Sequence, residues 1–469
     1  MYLLISVLIL FISYYLFKKA SGTLDIRQLN ISSFVFYSLF LMTFIGSLQI
    51  QYDLLIPESY VPQDDNLRTH GWMVVMYAMI MVPIGMLIAC WLFRVGSMRN
   101  LVHQYYVTPL DFKDIFWESC FKHSQYIFSL LSIIAVSFII YMQIENIPLF
   151  HLLGGSQDYY GMGMLRHDSG LRNFEYGRLL NIVLSPIAAF SSVFAYSAYG
   201  YFKAKKRIID LLWLVVMVFF SLLLNTYALV KSSIIYWAIS LIVVHIIVVG
   251  KLSIKGLAGT VAVIICLIGL STIFVQGSRA YIESVNLLSV VSISVDVFVS
   301  RITWGQLFGT YLCLDIFPGT LPHIFFSSTG NFIHQLFNMP FSPDYGMLVM
   351  SVWRPNWPPA GHCTTYFMGE AWANFGLIGI ILAPLFVGFI IQTFHIGLLR
   401  LRKTAFNVAI YGFSFSVMPI MSGLKGFYYP EGFIEYFIVI VMIYAVAVII
   451  HGSVKSIRIK DPVKIISIL

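Results

Sequence analysis

Uninterrupted apolar runs, each about twenty residues long and separated by short polar stretches, recur along the whole chain. Nothing in them alternates apolar with polar, so they predict bilayer-crossing helices and not the strands of a membrane barrel. The pattern predicts spans near 2–17, 31–50, 71–93, 126–147, 179–202, 210–228, 232–250, 257–275, 366–395, 405–422 and 433–450, about eleven in all. The first, "MYLLISVLILFISYYLFKK", lacks a basic leader and a small-residue exit, so it reads as a helix and not as a cleaved signal. No internal repeat, low-complexity stretch or extramembrane domain stands out, which predicts one all-α transmembrane domain over 1–469.

Composition agrees. Of 469 residues, 59% are hydrophobic and 11% charged, and the mean hydropathy is +0.84, whereas soluble domains carry about 25% charged residues. The 5 cysteines show no CxxC and no pairing with histidine, so neither a metal site nor a disulfide framework is indicated. No metal and no cofactor are expected. The net charge of +8 belongs to topology, because lysine and arginine collect in cytoplasmic loops. It does not imply nucleic acid.

Orientation follows from that charge. With Lys18 and Lys19 inside, the inner segments hold 20 of the 29 basic residues. The outer ones are Arg68, Arg166, Arg172, Arg178, Lys231, Arg279, Arg301, Arg354 and Lys425. This puts the N-terminus outside and the C-terminus in the cytoplasm. The segment Val290–Phe317 is apolar enough to suggest a further span, but it carries Asp296, Arg301 and Asp315. A span there would reverse everything downstream, so it is expected to form one or two amphipathic helices at the outer surface. Two large outer loops result, 148–178 and 277–365.

The outer basic residues differ in kind. Seven of the nine are arginine, against 7 of 20 inside. Topology needs only positive charge, whereas a planar guanidinium matches phosphate and carboxylate oxygens in two parallel hydrogen bonds. An outer site gripping a phosphate or pyrophosphate would give this bias; snorkelling to lipid phosphates is the competing explanation. The first loop, "HLLGGSQDYYGMGMLRHDSGLRNFEYGRLLN", spaces Arg166, Arg172 and Arg178 by six, with His167, Asp168 and Glu175 among them. It is not a phosphate-binding P-loop, since it lacks the GK[ST] ending. Either it closes over an anion or its charges neutralise one another. The second loop carries Arg279, Arg301 and "SVWRPNWPPAGHCTTYF", where prolines stiffen the chain around Trp357. Tryptophan stacks on sugars and equally anchors membrane interfaces.

If the ninth predicted helix begins by His362, then His362, Tyr366, Glu370 and Asn374 form a polar strip at steps of four. Glu370 would sit about one turn inside the bilayer edge, where an ionisable group is costly and by default functional. It is a candidate general base, with His362 as competitor, or else a tie to the loop. Gly369, Ala373 and Gly376 allow close packing on a neighbouring face. His245, in "IVVHIIVVG", is expected to be a satisfied packing residue.

With its long late outer loop, about eleven spans and "GHCTTYFMGEAWANFGLIGI", the chain resembles the oligosaccharide repeat-unit polymerases of the Wzy type, which make O-antigen or capsule and are related to lipid-carrier-dependent GT-C-like glycosyltransferases and the O-antigen ligases. The resemblance implies transfer of a growing glycan from undecaprenyl pyrophosphate to the non-reducing end of a new lipid-linked unit. That reaction runs at the periplasmic face of the bacterial inner membrane. It implies lipid-linked donor and acceptor oligosaccharides, membrane lipid and a chain-length regulator as partners, and no nucleotide sugar, metal or cofactor. By position, Arg279, Arg301, Arg354, Arg166 and Arg172 become pyrophosphate-site candidates, and Glu370 or His362 the base. Trp357, Tyr366, Asn374 and His167 become candidate glycan contacts. The loop has no His-rich signature of the ligase type. The competing classes are a lipid-linked oligosaccharide flippase or transporter, an O-antigen ligase, and an outer-face acyl- or phosphotransferase.

Overall fold

The computed structural model describes residues 1–57, 60–142, 177–202, 208–226, 231–250, 252–253, 255–256, 258–259, 296, 299–300, 302–325, 345–355, 363, 365–417, 423–428 and 431–460. Among these the regular structure is helical, with no strand. The helices are α1 (Tyr2–Ser21), α2 (Ile31–Tyr52), α3 (Asp65–Leu92), α4 (Met98–Val107), α5 (Ile115–Met142), α6 (Gly177–Tyr201) and α7 (Ile208–Thr226). They continue with α8 (Lys231–Val249), α9 (Trp304–Ile316), α10 (Tyr345–Trp353), α11 (Phe367–Arg400), α12 (Ala405–Val417), α13 (Lys425–Tyr428) and α14 (Glu431–Lys460). Five helical stretches are long and apolar enough to cross a membrane: Tyr2–Gln28, Ile31–Tyr52, Asp65–Leu92, Ile208–Thr226 and Phe367–Arg400. Helices α5, α6, α8, α12 and α14 also fall on predicted spans. The span predicted at 257–275 lies outside the described residues except for 258–259.

Local chemistry sets several boundaries. Asn30 caps α2 by accepting from the Ser33 N–H, while the Ser33 hydroxyl accepts from the Asn30 N–H. A π-helical turn at Phe40–Phe44 interrupts α2. Gly22 ends α1 at φ 77, with the Met98 carbonyl 2.7 Å from where a Cβ would stand.

The centre of the fold is the α3–α11 pair. A Cβ on Gly85 would lie 2.2 Å from the Leu385 carbonyl oxygen, and one on Gly388 2.0 Å from that of Val82. Without side chains at these points the backbones approach closely, as membrane helices do to gain dispersion where no hydrophobic drive exists. The Tyr77 hydroxyl donating to the Ile381 carbonyl at 3.1 Å and the Arg400 Nη2 donating to Phe93 O at 2.7 Å show that the two helices run parallel. A smaller cluster (Val136, Ala188, Leu214, Met217, Phe220) joins α5, α6 and α7. The Lys122–Asp210 ion pair closes it at one end.

Contacts sort the polar residues by end. At one, Leu252 N–H donates to the Arg27 carbonyl at 3.0 Å, Arg402 pairs with Asp111 and Asp114, and Lys403 donates to the Thr108 carbonyl at 2.7 Å. At the other, Tyr52 and Thr69 meet the start of α1, and Arg68, next to Thr69, binds Asp53, next to Tyr52, at 2.9 Å. The first is the basic end of the bundle and the second the opposite end.

Helix α9 departs from expectation. It is not surface-lying: buried residues include Trp304, Leu307, Phe308, Thr310, Tyr311, Leu312 and Cys313. A Cβ on Gly46 would lie 3.0 Å from the Thr303 carbonyl carbon, and one on Gly71 2.1 Å from a Tyr311 ring carbon. Both glycines stand six positions in from the opposite end of their helices, about 9 Å at 1.5 Å per residue. Helix α9 therefore runs crosswise, sunk below that end. It can do so because Asp296 and Arg301 precede it and Asp315, near its last residue, is exposed.

Candidate functional site

Glu370 is fully buried near the start of α11. Its Oε2 accepts the Lys425 backbone N–H at 2.9 Å, so the carboxylate holds the first residue of α13. The Tyr428 hydroxyl stands 3.5 Å from Oε1, too long for a strong hydrogen bond. A Cβ on Gly423 would fall 2.1 Å from Oε2 and 2.9 Å from the Tyr345 hydroxyl. Thr365 Oγ1 in turn donates to that hydroxyl at 3.0 Å. Carboxylate, two phenols, a threonine and a bare stretch of backbone thus converge where α10, α11 and α13 meet. Glu370 thus ties down the start of α13; the expected tie to His362 lies outside the described residues.

The polar strip takes another form. Helix α11 starts at Phe367, with Tyr366 as an extended cap at ψ 169, so Tyr366 precedes the helix. His362 lies outside the described residues. The helix is also broken: Gly376 adopts φ 56 and ψ −136, a conformation open to glycine and strained for other residues. The break turns 367–375 back on 377–400, since a Cβ on Gly379 would meet the Ala371 carbonyl oxygen at 2.1 Å. Glu370 and Asn374 therefore ride a separate short helix, and Asn374 Nδ2 donates to the Glu370 carbonyl at 2.9 Å. That helix is seated on the turn after α9: Trp372 Nε1 donates to Phe317 O at 2.7 Å, and Ile324 N–H to Ala373 O at 3.0 Å. His323 fills the notch, its Nε2 2.9 Å from where a Gly376 Cβ would stand.

Arg354 lies at the same end, half-buried just beyond α10. Its guanidinium sits 4.3 Å from the Trp353 ring centroid and 5.3 Å from that of Tyr60, and Nη2 donates to the Tyr60 hydroxyl at 3.3 Å. Nine residues of helical rise, about 13 Å, separate it from Tyr345 beside Glu370. Tyr366 is fully buried, and its hydroxyl has no hydrogen-bond partner among the described residues. Of the other candidates, Arg166, His167, Arg172, Arg279, Arg301 and Trp357 lie outside the described residues.

Sequence reasoning missed a second polar cluster, toward the basic end. The Ser32 hydroxyl donates to Gln392 Oε1 at 2.6 Å and lies 2.7 Å from His395 Nδ1. With its one proton used, Ser32 accepts from Nδ1–H, and Nε2 accepts the Tyr411 hydroxyl at 3.0 Å. Gln392 Nε2 donates to the Ala20 carbonyl at 2.9 Å and approaches Cys90 Sγ at 3.3 Å. Five helices are joined by this fully buried chain. The available signal was "QTFHIG", a glutamine and a histidine three apart inside an apolar helix. His245 is satisfied as expected, with Nδ1 2.6 Å from the Tyr196 hydroxyl.

At the basic end, eight residues before the predicted span of α5, Glu118 is buried and accepts the Phe406 N–H at 3.1 Å. Burial pushes its carboxyl up to about 7. Lys403, between α11 and α12, is lowered to about 8 by burial.

No family model, no curated protein and no solved structure matches this chain.

Proposed function

We propose that this chain is a glycosyltransferase that polymerises undecaprenyl-pyrophosphate-linked repeat units into a surface polysaccharide, O-antigen or capsule. In this reading about eleven spans place the N-terminus outside and the C-terminus in the cytoplasm of a bacterial inner membrane. The opposite end then faces the periplasm. The observation that carries the reading is Glu370: a fully buried carboxylate on a short helix interrupted at Gly376, at the end that also holds Arg354. A carboxylate kept there, away from the basic end, suits proton removal from a neutral acceptor hydroxyl.

In the proposed reaction Glu370, or His362 in its stead, takes the proton of the acceptor hydroxyl. The hydroxyl oxygen attacks the anomeric carbon of the growing glycan. A new C–O bond forms as the bond to pyrophosphate breaks, and undecaprenyl pyrophosphate leaves with its negative charge. Arg354, stacked on Trp353 at that end, is a candidate to meet that charge, and Arg166, Arg172, Arg279 and Arg301 are the further candidates by sequence. Segregation of Lys18, Arg27, Lys122, Arg402 and Lys403 to the basic end supports the orientation.

The test is deletion and complementation scored by glycan ladder. Polymer lost with single capped units retained supports the proposal, and its return with wild type but not with Glu370→Gln assigns the base. Loss of every unit supports a flippase or ligase. The broken helix favours the transporter among these, since discontinuous helices line transport sites.

A further inference from the structure

Helix α9 carries three buried polar atoms that no described residue satisfies. Among the described residues Trp304 Nε1, Thr310 Oγ1 and Tyr311 OH find no hydrogen-bond partner, and neither do Gln49 Oε1 on α2 and Tyr366 OH before α11. All five side chains are at least nine-tenths buried. They lie on elements in mutual contact. Gly46, one turn before Gln49, seats the start of α9, and the Phe317 carbonyl at the end of α9 accepts from Trp372 on the helix that Tyr366 precedes. Buried polar groups are almost always paired, because each unpaired one forfeits its hydration. Around α9 they amount to hydrogen-bonding capacity that the described residues of the closed fold leave unused.

Their chemistry narrows which ligand could use it. Three hydroxyls give and take protons, one indole N–H only gives, and one amide oxygen only takes. No charge is among them, so a phosphate is poorly matched. Beside Trp304 stand the Tyr60, Phe308 and Trp353 rings at 5.2–5.4 Å centroid spacings around Tyr60. Neutral hydroxyl-reading groups next to aromatic faces are what a sugar ring needs, with its polar edge and apolar C–H face. Arg354 borders the same aromatic group, which would put a diphosphate next to the sugar.

We propose that Gln49, Thr310, Tyr311 and Tyr366, with Trp304, form a saccharide subsite for the lipid-linked substrate, exposed when crosswise helix α9 moves outward from α2 and α3. The bare seats at Gly46 and Gly71 let α9 close tightly and leave no side chain interlocked with it at those points. This deepens the polymerase reading and depends on it. None of the five is a catalytic residue; they orient the sugar.

Two measurements test it. Tyr311→Phe and Tyr366→Phe are compared with wild type in the deletion strain by ladder length and by the purified proteins' Tm. Loss of an orphan hydroxyl leaves Tm unchanged or higher, and polymerisation falls roughly three- to tenfold, the equivalent of a neutral hydrogen bond. A wild-type ladder, or a ladder defect that tracks a lowered Tm, overturns the subsite. If the deletion itself leaves the ladder intact, the polymerase reading fails instead. In the second arm Thr310→Cys, which introduces no added bulk beyond the larger sulfur, is treated in spheroplasts with an impermeant maleimide. Labelling above wild type is expected when undecaprenyl-linked oligosaccharide is being made and little when its synthesis is blocked. No labelling in either state overturns the opening of α9.

Discussion

The Glu370 carboxylate accepts the backbone N–H of Lys425 at 2.9 Å across 55 positions of chain. One oxygen of a buried acid thereby fixes the start of α13, and the same acid is the candidate base. The two roles separate by substitution. Glu370→Gln keeps an acceptor for Lys425 and removes the base, so it should fold with a near-wild-type Tm and make no polymer. Glu370→Ala loses the charge-assisted bond as well and should cost about 2 kcal/mol in stability. A polymer ladder from Glu370→Gln would leave the acid a purely structural tie.

Helix contact between α3 and α11 depends on missing side chains. Gly388→Ala places a methyl 2.0 Å from the Val82 carbonyl oxygen, where backbone must shift. It should destabilise by roughly 2 kcal/mol or more. Gly397→Ala, on the same helix with nothing within 4 Å, should stabilise by about 0.5–1 kcal/mol through helix propensity. Thermal unfolding of the two in nanodiscs checks the sign of each.

The buried chain through His395 is expected to behave as one unit. His395→Phe leaves the Ser32 and Tyr411 hydroxyls short of a partner, at about 1–3 kcal/mol each. The double variant His395→Phe/Tyr411→Phe should then lose less than the sum of the two single ones. Strict additivity would mean that the hydrogen bonds do not act together.

Glu118 predicts a pH dependence. Its carboxyl is raised from 4.5 to about 7 in the folded state by burial, so folding holds its proton more tightly than the unfolded chain does. Stability contributed by the protonated acid is present below about pH 4.5, declines as pH rises toward 7 and is gone above. Glu118→Gln keeps an acceptor for the Phe406 N–H and cannot ionise. It should match wild type near pH 4.5 and exceed it at pH 8 by up to about 3 kcal/mol. An equal Tm difference at both pH values would remove Glu118 as the titrating group.

Much of the helix plan was legible in the sequence. Apolar runs at 2–17, 31–50, 71–93, 210–228 and 366–395 each coincide with a helix long and apolar enough to cross a membrane. The reason is local, since partition into a bilayer depends on the summed hydropathy of about twenty consecutive residues. Glu370 was legible for the same reason, as a charge out of place in such a run. What only the tertiary structure decided were the breaks and the depths. Gly376 reads as a packing glycine until its φ of 56 and the fit of His323 against it are known. Val290–Phe317 reads as surface-lying until α9 is found sunk onto Gly46 and Gly71, with its charged residues before it or at its exposed end. His395 reads as one more residue of an apolar helix until Ser32, more than three hundred positions earlier, meets its ring. Hydropathy counts what each segment carries, whereas a kink, a seat or a hydrogen bond exists only between segments.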